Sequence, residues 1–150
     1  MSSIPKTSSK TTSKSAPRAT TISKPTYHLK LIICGAGGVG KTAIVRRYVE
    51  DKFDRNYLLT IGMEPSNKVI PLKDRPNESI NLLIYDVAGQ ERFQTLREVF
   101  FRGADGALLV FDLSNDTSLD ILLDWYREIL ERAGPIPTYL IGNKSDLVAA

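Results

Sequence analysis

Gly35-Ala36-Gly37-Gly38-Val39-Gly40-Lys41-Thr42 separates two segments of opposite pattern. Before it, Leu31-Ile32-Ile33-Cys34 is a short apolar run of the kind a buried strand carries. After it, Ala43 to Val49 has helical spacing, with Ile44, Val45 and Tyr48 predicted on one side. The octapeptide fits G-x-x-x-x-G-K-[ST], and its place between strand and helix start is the one the mechanism of a phosphate cradle requires. Glycines let backbone N–H groups turn inward, so amides from Gly35 to Ala43 and the helix N-terminus are expected to hold negative phosphates. Lys41 is expected to reach the outer two phosphates, and the Thr42 hydroxyl to ligate Mg²⁺.

Downstream, the punctuation is that of an α/β domain. Asn67 to Leu72 and Ile80 to Tyr85 read as strands, and residues 73–79 between them as a turn-rich connection, so the two should pair as an antiparallel hairpin. Gly106 to Asp112 reads as a buried strand. Ser118 to Ala133 reads as one amphipathic helix, with Leu119, Leu122, Leu123, Tyr126, Ile129 and Leu130 toward the core and Gly134-Pro135 as its stop. Thr138 to Gly142 is a last strand. The predicted class is α/β, a mostly parallel sheet with helices on both faces, one antiparallel edge strand and loops gathered at the carboxyl edge.

Two further segments carry chemistry. Asp86-Val87-Ala88-Gly89-Gln90 follows the second hairpin strand, so the Asp86 carboxylate should emerge beside the phosphate loop and hold the metal. Gly89 allows a backbone N–H to approach a terminal phosphate, and Gln90 offers both donor and acceptor to an attacking water. Asn143-Lys144-Ser145-Asp146 supplies what guanine needs, because a carboxylate at Asp146 accepts from both the ring N1–H and the exocyclic amine. Adenine cannot return those contacts. Lys144 would lay its aliphatic stem along the base while Asn143 ties the turn to the phosphate loop. In isolation the tetrapeptide reads equally well as a polar strand-end turn.

The chain has 150 residues, one domain's worth, and its net charge of +3 averages two unlike parts. Residues 1–26 hold Lys6, Lys10, Lys14, Arg18 and Lys24 with no acid, leaving 15 basic against 17 acidic residues in the remainder. Half of that segment is Ser or Thr, with too few apolar residues to bury a core, so residues 1–27 are assigned as a disordered basic tail and 28–150 as the domain. The tail reads as a solvated linker, as a weak contact to anionic membrane, or as a targeting segment; Ser2 in place of Gly excludes myristoylation. No specific nucleic-acid partner is expected. No apolar run approaches the roughly 18–20 residues that cross a bilayer. The single cysteine, Cys34, makes no intramolecular disulfide and reads as a small core residue, which suits an intracellular, cytoplasmic setting.

With these motifs in order, residues 28–150 resemble a small GTPase of the Ras superfamily, Rab-like in wording. The likeness rests on Ala88-Gly89-Gln90-Glu91-Arg92-Phe93, Phe100-Phe101-Arg102-Gly103-Ala104 and Leu140-Ile141-Gly142-Asn143-Lys144-Ser145-Asp146-Leu147. It implies a P-loop NTPase fold and a switch that binds GTP or GDP with Mg²⁺ and slowly hydrolyses GTP, in vesicle trafficking or signalling. It further implies that Thr60, in Thr60-Ile61-Gly62, completes Mg²⁺ coordination, that Phe53 packs on the guanine and that Tyr57 closes over the phosphates. Residues 88–98 would form the second switch, and loss of the γ-phosphate would release both loops. Gln90, Lys41 and Thr60 are thus the catalytic candidates, and Thr42, Thr60 and Asp86 the metal ligands. Gly37 would stand where hydrolysing members tolerate little side chain. Partners implied are an exchange factor, an activating protein that brings an arginine in trans, and effectors at the switch loops; Arg92 reads as a switch-surface residue.

The chain departs from that pattern at Pro65 and Tyr85, where Rab-type members usually have an aromatic residue and Trp, and at Val87, where Thr is common. It also ends at Ala150, before the family's Ser-Ala-Lys loop, last strand, last two helices and prenylation cysteine. From that, the expectation is one exposed sheet face, an unprotected Thr138 to Ile141 edge and weakened GTP affinity. Two other classes fit parts of the pattern: a nucleotide-binding interaction module without turnover, and a nucleotide kinase, for which Asp86 to Gln90 and the guanine turn have no use.

Overall fold

The apolar run at Leu31 to Cys34 is continuous because the strand it ends, β1 (Tyr27–Cys34), lies in the middle of the sheet with both faces covered. In a computed structural model, residue 25 and residues 27–53, 60–61, 63–89 and 94–148 are described, with residues 94–96 described in backbone only. The tail expected at residues 1–27, apart from residue 25 and Tyr27, lies outside them, as do Tyr57, Gly62, Gln90, Glu91, Arg92 and Phe93.

The element order is β1, α1 (Lys41–Glu50), β2 (Met63–Leu72), β3 (Arg75–Val87), α2 (Gln94–Phe101), β4 (Gly106–Asp112), α3 (Asp116–Asp120), α4 (Leu122–Ala133) and β5 (Thr138–Asn143), followed by a 3₁₀ turn at Ser145–Leu147. The five strands stand in the order β2-β3-β1-β4-β5. β1 pairs in parallel with β3 and β4, β4 in parallel with β5, and β2 antiparallel with β3. Alternation along β1 sorts the two cores. Ile33 packs with Val39, Val45, Ile84 and Val110 on the α1 side. Ile32 and Cys34 pack with Phe101, Leu122, Trp125 and Ile129 on the side of α2 and α4. Burial pushes the Cys34 thiol well above its ordinary range, which fits the inert core role read from the sequence.

The hairpin is longer than its sequence suggests. β2 begins at Met63, β3 begins at Arg75, and only Lys73 and Asp74 turn between them. Pro65 is exposed on β2, an edge strand, the place in a sheet where a residue without an N–H is tolerated. Opposite it, Tyr85 stacks on Phe100 at 6.3 Å between centroids, with the Lys30 ammonium 5.0 Å from the Tyr85 ring.

The helix expected over Ser118 to Ala133 is two helices, broken by a turn at Ile121. The face toward the sheet is Leu122, Trp125 and Ile129, while Leu119, Leu123, Tyr126 and Leu130 remain 43%, 54%, 40% and 40% exposed. Both sets are spaced for one face of a helix, and the set bearing the indole removes more apolar area from water. Tyr48, grouped with Ile44 and Val45 on one side of α1, is exposed, its ring 4.2 Å from the Lys68 ammonium.

α2 is fastened to α4 by buried charge. The Arg97 guanidinium lies 3.9 Å from the Trp125 ring centre and bonds Glu128 Oε2 at 3.2 Å. Arg132 Nε reaches Glu128 Oε1 at 3.3 Å, and Arg132 Nη1 reaches Glu98 Oε2 at 3.1 Å. Among the described residues no helix is long and apolar enough to cross a membrane.

Candidate nucleotide site

Parallel pairing brings the carboxyl ends of β1, β3, β4 and β5 to one edge of the sheet, so Gly35, Asp86, Asp112 and Asn143 share it. Gly35 leaves β1 at φ 142°, where a Cβ would also run into the Val110 carbonyl, so no other residue fits there. The loop Ala36-Gly37-Gly38-Val39-Gly40 then enters α1, and Ile44 N–H donates to Gly40 O at 3.0 Å to begin the helix. The first turn, Lys41-Thr42-Ala43, carries no acid, so its N–H groups and positive dipole end stay available to an anion. Val39 is buried beneath the loop and anchors it to the α1-side core.

Lys41 is buried, and its Nζ donates to the carbonyls of Gly35 at 3.0 Å and Ala36 at 2.8 Å. Burial lowers its pKa, and the neighbouring Asp86 carboxylate pulls it back up. Asp86 is pushed up, first by burial, against the hydrogen bond from Thr42 and the charge of Lys41. Thr42 Oγ1 donates to Asp86 Oδ2, and the Thr42 and Thr60 hydroxyls lie 2.9 Å apart. Thr60 Oγ1 is 3.4 Å from the same carboxylate oxygen. Residues far apart in sequence, 42, 60 and 86, therefore meet as three hard oxygen donors. Asp86 Oδ1 is buried and meets no hydrogen-bond donor among the described residues.

That set fits Mg²⁺, which prefers oxygen and is commonly held by one or two carboxylates together with substrate phosphates. Among the described residues no group of three or more His, Cys, Asp or Glu side chains gathers to hold a metal. Gly89 lies against the phosphate loop: a Cβ there would fall 2.6 Å from Gly35 O and 2.5 Å from the Ala36 carbonyl carbon. Gly37 has open space on its Cβ side, with nothing within 4 Å among the described residues.

At the far end of the edge, Asn143 Nδ2 donates to Val39 O at 2.8 Å, the tie between turn and loop that the sequence predicts. Lys144 adopts φ 60° and bonds Asp112 Oδ2 through its ammonium at 2.6 Å. Asp146 is exposed within the 3₁₀ turn, and Phe53 is exposed beyond the end of α1.

A family model described as Ras family matches residues 30–150. The chain belongs to the Ras family. It is similar to the GTP-binding protein yptV5 of Volvox carteri, 44% identical over 125 residues that make up 80% of this chain and 60% of that protein. It is also similar to the Ras-related protein RABG3b of Arabidopsis thaliana, 44% identical over 124 residues, 79% of this chain and 60% of that protein. The Ypt/Rab-type GTPase ypt7 of Schizosaccharomyces pombe is 42% identical over 129 residues, 83% of this chain and 62% of that protein. The chain thus spans about three-fifths of the length of these curated relatives. A Rab-like small-GTPase domain is what the motif order led one to expect. Asp112, which the sequence reading did not single out, also lies at this edge, where its one visible signal is an acid closing a buried strand.

Proposed function

We propose that this chain is a guanine-nucleotide switch that binds GTP or GDP with Mg²⁺ and slowly hydrolyses GTP to GDP. The observation that carries the reading is the meeting of Thr42, Thr60 and Asp86 beside Lys41 at the mouth of the phosphate loop. Loop amides and the α1 N-terminus bind the phosphates. Lys41 exchanges the carbonyls of Gly35 and Ala36 for the outer phosphate oxygens. Thr42, Thr60 and Asp86 would hold Mg²⁺, which when bound neutralises charge on the outer phosphates. Gln90 orients the attacking water, and the Gly89 N–H supports the terminal phosphate. Asp146 reads the guanine edge, Lys144 and Phe53 flank the base, and Tyr57 covers the phosphates.

Because Thr60 and Gly89 belong to the segments expected to switch, their contacts with Asp86 and the loop give those segments a reason to respond to nucleotide state. Exchange factors, activating proteins and effectors at those segments, and a role in vesicle trafficking or signalling, belong to the same proposal, as does weak contact of the basic tail with anionic membrane. Replacing Gln90 by Leu should slow phosphate release from GTP about 10²-fold or more while GDP affinity stays within a few-fold. Phosphate release and isothermal titration on the purified chain measure the two. Wild-type protein that binds GTP and releases no phosphate would leave a nucleotide-binding interaction module in place of a hydrolase.

A further inference from the structure

Asp112 closes β4 directly opposite Asn143 in the register with β5. Its carboxylate is buried, yet both oxygens are engaged. Oδ2 pairs with Lys144 Nζ at 2.6 Å, and Oδ1 accepts from Ser114 N–H at 2.9 Å and from Ser114 Oγ at 2.6 Å. The backbone beneath it is pinned as well: Asp112 N–H donates to Ser118 Oγ at 2.8 Å, and the buried Ser118 hydroxyl donates to Asn115 O at 2.6 Å. So much local bonding at the end of a strand fixes the carboxylate in place.

What it fixes is Lys144. Among the described residues only Asp51 and Lys144 are non-glycine residues at positive φ. A backbone in that region persists only where its surroundings hold it. Here Leu113 N–H donates to Asn143 O at 3.0 Å on one side, and Leu147 N–H to Lys144 O at 3.0 Å on the other. The flexible lysine stem is thereby stretched between a fixed Cα and a fixed carboxylate. The Lys144 hydrogen bond, followed by those from Ser114, holds the Asp112 carboxyl down to about 2, so the carboxylate stays charged through the neutral range.

We propose that Asp112 is a positioning residue for base recognition: it holds the Lys144 stem as a flat support for guanine and, through Lys144, sets the turn that carries Asp146. The proposal rests on the reading of Asn143 to Asp146 as the base site. The test is Asp112→Asn in the whole chain with Mg²⁺, measured as Kd for GDP, for ADP and for inorganic tripolyphosphate. Expected are a loss of GDP affinity of about 10-fold, a smaller GDP-to-ADP ratio and unchanged tripolyphosphate binding. Lys144→Met should match it, and the double variant should be no worse than either single one, because the two act as one unit.

Ser114→Ala, which keeps the charge pair and removes one donor, should move the same way by less, and it carries the test if Asp112→Asn melts. An unchanged GDP-to-ADP ratio in Asp112→Asn, additive single losses, or an equal loss of tripolyphosphate binding would overturn the positioning role while leaving the base site standing. Wild-type protein with no preference for GDP over ADP would overturn the base site itself, and this inference with it.

Discussion

Glu128→Ala should destabilise the fold by about 3–5 kcal/mol, because it removes a buried carboxylate that two arginines share. Arg97 and Glu128 have side chains only 8% and 12% exposed, so water cannot take over the lost partner as it does at the surface. The Arg97 guanidinium would still lie on Trp125, and Arg132 would still reach Glu98. Urea unfolding should show the loss as a lower midpoint at nearly constant slope. Asp124→Ala is the control: the Arg127–Asp124 pair is two-thirds or more exposed on both sides and should contribute less than about 1 kcal/mol. A Glu128 variant no less stable than the Asp124 control would show that the α2–α4 seam is wetter than its burial indicates.

Gly89→Ala should cut GTP hydrolysis by about 10²–10³-fold while leaving GDP binding within a few-fold. The added methyl would fall 2.5 Å from the Ala36 carbonyl carbon and 2.6 Å from Gly35 O, and closer still to Gly37 N. These are backbone atoms of a loop anchored by Val39 and Lys41, so the segment bearing Gly89 must withdraw, taking its N–H and the neighbouring Gln90 with it. The phosphate loop itself keeps its shape, which is why binding should survive. Gly37→Ala separates the causes. Its methyl meets nothing within 4 Å among the described residues, so stability should stay within about 0.5 kcal/mol. Phosphate release and calorimetric GDP titration measure both variants; wild-type turnover in Gly89→Ala would mean that the close approach plays no part in the chemistry.

The legible parts of this chain were those written locally. Leu31 to Thr42 announces strand, loop and helix because each residue there answers to its immediate neighbours: an apolar run, a glycine that no side chain can replace, a lysine and a hydroxyl. Asp86 and Asn143 were placed correctly because strand direction alone carries them to the phosphate loop. Helix faces were less legible. Periodicity showed a helix over Ser118 to Ala133 but neither the turn at Ile121 that divides it nor which of two interleaved apolar sets meets the sheet, since that depends on where Trp125 fits. Arg75-Pro76-Asn77 looked like turn material and is strand, because a protruding hairpin exposes both edges and accepts Pro and Asn there. Arg97 and Glu128 are 31 positions apart, and nothing local in the sequence announces the pair; only packing brings their side chains together at 8% and 12% exposure.

Trp125 is the chain's single tryptophan, and a guanidinium from α2 rests on its ring. Its fluorescence, excited at the red edge where tyrosine is silent, therefore comes from the seam between α2 and α4 and nowhere else. A shift of α2 relative to α4 moves a cation across the indole face and changes both intensity and colour of emission. The protein thus carries its own optical reporter of the helix behind Gly89, readable on unlabelled, unmodified material.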